Sequence, residues 1–90
     1  MMAGDGVRPP SGLGRAGRAL WRSLCEAYEL GEHEQRLLLE AARTADLLDL
    51  LEADVGAHGI VDDVGEPRRV VVELRQQRIV LSRLIASLRV

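Results

Sequence analysis

Lysine and phenylalanine are absent from this 90-residue chain, which holds one cysteine, one tryptophan and one tyrosine. Without phenylalanine the core has to be assembled from leucine, valine, isoleucine and alanine. That is the palette of packed helices rather than of a sandwich, whose strands favour aromatic and β-branched residues. The single cysteine, Cys25, excludes an internal disulfide and a cysteine-rich metal cluster, and it fits a reducing compartment. No uninterrupted apolar run approaches the ~18 residues a membrane span needs. The opening Met1-Met2-Ala3-Gly4-Asp5-Gly6 lacks the basic and apolar regions of a signal peptide, so a soluble, cytoplasmic protein is expected. Ninety residues make one small domain with a limited core, for which self-association is a natural expectation.

What the chain does have is arginine, unevenly placed. All twelve basic residues are arginines, and the net charge of −2 conceals three blocks. Residues 1–22 carry Arg8, Arg15, Arg18 and Arg22 against Asp5 alone, a balance of +3. Residues 23–67 carry two arginines against seven Glu and five Asp, a balance of −10. Residues 68–90 carry six arginines against Glu73, a balance of +5. Such asymmetry implies either an anionic partner or pairing between the segments.

Periodicity predicts an all-α fold of three helices. Residues 1–12 are rich in glycine and proline, with Pro9-Pro10-Ser11-Gly12 forbidding a helix, and read as a flexible basic arm carrying Arg8. Residues 13–90 read as a single helical domain. Its first helix is expected over about 14–28, with Gly17, Leu20, Trp21, Leu24 and Tyr28 on one face. Gly31 separates it from a second helix over about 32–58, where Leu37, Leu38, Ala41, Ala45, Leu48, Leu51 and Val55 form a stripe roughly 140° wide. Leu39 and Leu50 fall on the far side, so this helix is expected to meet more than one neighbour. Gly59 suits the position just past its end, with Ile60 placed for the accompanying apolar contact. Residues 59–69 form a turn-rich connector with room for a short β-hairpin. The third helix, over about 70–88, spaces Val70, Leu74, Gln77, Leu81, Leu84 and Leu88 as a coiled-coil seam with one polar exception. The long helices are expected to pack as an antiparallel hairpin.

Catalytic patterns are weak. Gly12-Leu13-Gly14-Arg15-Ala16-Gly17 matches G-x-G-x-x-G, but Pro9-Pro10 stand where the dinucleotide fold needs a strand, so a helix entry is the better reading. His33 and His58 lack zinc-ligand spacing. Asp62-Asp63 lacks the alternating ligands of a calcium loop. Cys25 follows Arg22 by one helical turn, which favours a thiolate, but a buried structural cysteine is favoured more. No metal, no cofactor and no enzymatic activity are expected.

The arginines remain. Arg75, Arg78 and Arg89 share an arc of roughly 60° beside the third helix's seam. Pairing with Glu40, Asp49 or Glu52 of the second helix is the favoured use of them, because Glu52 falls inside an apolar stripe and needs a partner. The N-terminal arginines have no such neighbours. Arg8 sits on the arm, and Arg15, Arg18 and Arg22 recur along one helix face. A row of phosphate contacts and an ordinary solvated face fit this cluster about equally.

The order of motifs resembles a known family. Leu13-Gly14-Arg15-Ala16-Gly17-Arg18-Ala19-Leu20-Trp21 leads to Tyr28-Glu29-Leu30 and Glu32-His33-Glu34. The long helix carries Ala42-Arg43-Thr44-Ala45-Asp46, and then come Gly59, Gly65-Glu66-Pro67-Arg68 and Glu73-Leu74-Arg75-Gln76-Gln77-Arg78. Over roughly residues 13–90 the chain is similar to small subunits of tailed-bacteriophage terminases, the DNA-packaging motors. Two departures stand out: Val70-Val71-Val72 follow Arg69 where many members have Asn-Pro, and no separate helix-turn-helix domain precedes the first helix. The resemblance implies a non-enzymatic, helical homo-oligomer, usually a ring, in the host cytoplasm. Such a protein binds double-stranded viral DNA and regulates the ATPase and nuclease of the terminase large subunit. Arg8, Arg15, Arg18 and Arg22 are the expected DNA contacts, with Arg68 and Arg69 next. Leu39, Leu50, Val72 and Ile79 are the expected assembly contacts. A helical virion adaptor that binds no DNA, or a small DNA-binding regulator outside packaging, are the alternatives.

Overall fold

A computed structural model describes residues 8–88 and contains three helices: α1 (Arg15–Ala27), α2 (Glu32–His58) and α3 (Arg69–Leu88). The described residues are all-helical and include no β-strand. The molecule is elongated, with Cα extents of 57 × 21 × 17 Å, and α2, at about 40 Å, is its longest element. Arg89, grouped above with Arg75 and Arg78, lies outside the described residues, as do residues 1–7 of the arm.

Both ends of α2 have a local cause. Before α2, Glu34 Oε1 accepts the Gly31 N–H at 3.0 Å, and Glu32 and Glu34 put negative charge in the first turn where the helix dipole favours it. Gly59 ends α2 at φ +81°, a conformation open to glycine, and its N–H reaches the Val55 carbonyl at 2.8 Å. Ile60, the residue placed for an apolar contact there, is 59% exposed. The connector tightens around Asp62, whose carboxylate accepts the N–H groups of Val64 and Glu66. The chain reverses here through a single antiparallel bridge, Val61 to Pro67, with the Asp62 N–H donating to the Glu66 carbonyl and the Arg68 N–H to that of Ile60, the minimal form of the hairpin for which the connector had room. α3 then begins at Arg69, immediately ahead of its three valines.

Both α1 and α3 pack on α2. Leu13, Trp21, Cys25, Leu38, Ala42 and Leu88 form the buried cluster, with Leu37, Leu39 and Ile85 packed against it. Arg68 bonds Asp54 near the end of α2, while Leu88 at the end of α3 joins Leu38 and Ala42. The seam residues of α3 all face inward, and Leu74 and Leu88 are buried. Gln77, the polar member, donates to Glu73 of its own helix at 2.8 Å, which satisfies its amide without a partner across the interface. The Trp21 indole N–H has no hydrogen-bond partner within the cluster.

Candidate nucleic-acid interface

The start of α1 is built by a residue of α2. Gly14 caps the helix without a side chain of its own. The Asp46 carboxylate, one turn beyond Ala42, accepts the Gly14 N–H at 2.8 Å and the Gly17 N–H at 2.7 Å. An Asp at this distance does for α1 what a local N-cap would do, and its charge complements the dipole. The contact explains both glycines. A Cβ on Gly14 would fall 2.9 Å from Asp46 Oδ1, and one on Gly17 would fall 2.7 Å from the Ala42 carbonyl oxygen. The glycine pattern of residues 12–17 is therefore a helix-packing device, with Gly12 in addition turning the chain at φ +92°.

Pinned in this way, α1 and residues 8–13 enclose an open cleft of about 600 Å³. Arg8 lines it from the arm, and Arg18, Arg22 and Glu26 line it from α1. Cys25 and Leu13, both buried, also line it. Three of the four N-terminal arginines thus meet at one concavity. Arg15 is exposed at the helix start and does not line it. None of Arg8, Arg15, Arg18 and Arg22 forms an ion pair with a described carboxylate. Three arginines and one glutamate line the cleft, a balance of +2 that suits phosphate oxygens. Burial pushes the Cys25 thiol pKa upward, opposite to what Arg22 alone would do, and so disfavours the thiolate.

The C-terminal arginines divide. Arg68 is held internally, with Nη2 at 2.6 Å from Asp54 Oδ1 and Nη1 at 2.7 Å from the Gly59 carbonyl oxygen. It ties the end of α2 to the start of α3. Arg78 reaches Glu52 at 3.4 Å, and both side chains are more than half exposed, so this pair contributes little. Glu40 pairs with Arg43 of its own helix and not with α3. Arg69, Arg75 and Arg83 form no ion pair with a described residue. Of the expected pairings only Arg78 with Glu52 forms among the described residues; Arg68, expected as a DNA contact, is instead held internally by Asp54, and Arg69, Arg75 and Arg83 are exposed.

Among the residues expected to mediate assembly, Leu50 is 70% exposed, Val72 49% and Ile79 47%. Leu39 is half-buried against the core cluster. Leu47 and Val80 are further exposed apolar residues. Among the described residues no group of three metal-binding side chains exists, and no helix is long and apolar enough to cross a membrane.

Sequence reasoning missed Asp46 as the anchor of α1. The signal was available in two glycines three residues apart that no turn required, which marks close approach by another backbone. The chain matches no protein-family model, no curated protein and no solved structure.

Proposed function

We propose that this chain is a non-catalytic DNA-binding regulator of the terminase small-subunit kind. In this reading it assembles as a homo-oligomer, takes double-stranded viral DNA through the arm–α1 cleft, and modulates a large subunit that carries the ATPase and nuclease. The observation that carries the proposal is the convergence of Arg8, Arg18 and Arg22 on one cleft with no described carboxylate pairing them. Cations held without internal partners are free to displace counterions from a phosphate backbone. Arg15 and Arg69 are further exposed arginines without an ion-pair partner among the described residues, whereas Arg68 serves the connector. The α2–α3 portion is read as an antiparallel hairpin that supplies the assembly scaffold, and repetition of the cleft around an oligomer converts a weak patch into a strong one. The host cytoplasm is the proposed site of action.

Two measurements test this together. Fluorescence anisotropy with labelled duplex DNA at ~50 mM salt should show binding, since several phosphate contacts are strong there. Addition to the large subunit of the same packaging system should change its ATPase rate. No binding at low salt removes the DNA role and leaves a virion adaptor, for which the exposed apolar residues of α2 and α3 speak. Binding without any effect on the ATPase leaves a DNA-binding regulator outside packaging.

A further inference from the structure

The second half of α2 has one neighbour where the first half has two. α1 starts at Asp46 and its Trp21 and Cys25 join Leu38, so α1 covers the N-terminal half of α2. From Leu47 onward α3 is the helix that accompanies α2, and Leu50 on the other side is 70% exposed. Leu50 is about 160° round the helix from the buried Leu48, and exposed Ala53 and Ala57 follow it. Between Thr44 and Ala57 the helix carries Asp46, Asp49, Glu52 and Asp54 and no arginine.

The outer side of α3 is its counterpart. Val72, Ile79 and Ala86 recur every seven residues opposite the inward seam, and all three are exposed. Arg75, Arg78 and Arg83 flank Ile79 and Ala86, and together they line a shallow apolar groove. Asp46, Glu52 and Asp54 already have partners in the same chain, so the free charges of the two faces are Asp49 on α2 and Arg75 and Arg83 on α3, which leaves the first face net acidic and the second net basic. Two α3 faces brought together would oppose arginine to arginine, and two α2 faces carboxylate to carboxylate.

We infer that the α3 outer face of one copy docks on the bare α2 half of a second copy of this chain. Because the two faces differ, every copy in such a contact keeps one face of each kind free, and assembly continues beyond two to a closed ring or an open filament. This inference rests on the self-association in the proposed function and adds which surfaces meet.

Paired variants test it. Ile79→Asp removes the apolar centre of the α3 face and sets a carboxylate against the acidic half of α2. Leu50→Asp removes the centre of the α2 face, and the two new carboxylates cannot rescue each other. Both positions are exposed, and circular dichroism checks that helix is retained; Ile79→Gln and Leu50→Gln replace either variant if it is not. By light scattering the wild type should exceed dimer mass, and each variant alone should fall to the 9.9 kDa monomer. An equal mixture should give about twice that mass and nothing larger, since only one intact contact can form. A monomeric wild type overturns both this inference and the assembly part of the proposed function. An assembled wild type whose mass Ile79→Asp leaves unchanged overturns this inference alone, as does a mixture that stays monomeric.

Discussion

Replacing Gly17 by alanine gives a prediction whose sign depends on the packing. In a solvent-facing helix the change stabilises by about 1 kcal/mol, because alanine is the better helix former. At Gly17 the new Cβ would lie 2.7 Å from the Ala42 carbonyl oxygen and 2.9 Å from Asp46 Cγ. Neither neighbour yields easily: one is helix backbone, and the other is held by two N–H groups. Overpacking of this kind costs about 1–3 kcal/mol, and displacing Asp46 also loses part of a cap worth ~1 kcal/mol. The net effect is destabilisation by about 1–3 kcal/mol, out of a total of about 5–13 kcal/mol for a chain of this length. Gly56 is the control. It is helical and exposed, and a Cβ there meets nothing within 4 Å, so Gly56→Ala should stabilise by ~0.5–1 kcal/mol. Thermal unfolding at one fixed protein concentration reads both, at about 4–8 °C per kcal/mol for a domain of this size. Gly17→Ala should lower Tm by roughly 5–20 °C while Gly56→Ala raises it. If Gly17→Ala also raised Tm, the close approach of α1 to α2 would be wrong.

Asp46→Ala should cost about 2–3 kcal/mol, since it leaves the Gly14 and Gly17 N–H groups without their charged acceptor; hydrogen exchange should show the first turn of α1 losing protection ahead of α2. Arg68→Ala should cost about 1 kcal/mol, an amount discounted for the partial exposure of Arg68 and Asp54, and should loosen residues 59–68 without changing DNA affinity at a given salt concentration. Cys25 should resist thiol reagents until the protein unfolds, because it is 2% exposed and its pKa is raised by desolvation. The unfolded thiol ionises first as pH rises, so stability from this group is full below the ordinary thiol range. It should decline as pH climbs through that range toward the folded value, with a slope missing in Cys25→Ala.

The regular parts of the structure were legible because periodicity determines them. The seam of α3 and the stripe through Leu38, Ala41 and Leu48 follow from spacing alone, and Gly31 and Gly59 mark the ends of α2. Charge placement was harder to read. The blocks at residues 1–22 and 68–90 look alike in composition, yet Arg68 is held by Asp54 while Arg8, Arg18 and Arg22 share a cleft. Pairing is decided by three-dimensional reach, which spacing along one helix does not contain. The same holds for Asp46, whose partners lie 32 and 29 residues earlier.

The central claim is that the arm–α1 arginines contact a phosphate backbone. Duplex DNA affinity as a function of salt, compared between the wild type and Arg18→Ala/Arg22→Ala, tests it most directly. The wild type should lose affinity steeply between ~50 and ~200 mM salt, and the double variant should show a slope of log K against log salt smaller by about 0.9 for each contact removed. Equal slopes for the two proteins, or no binding by the wild type at the lowest salt, would contradict it.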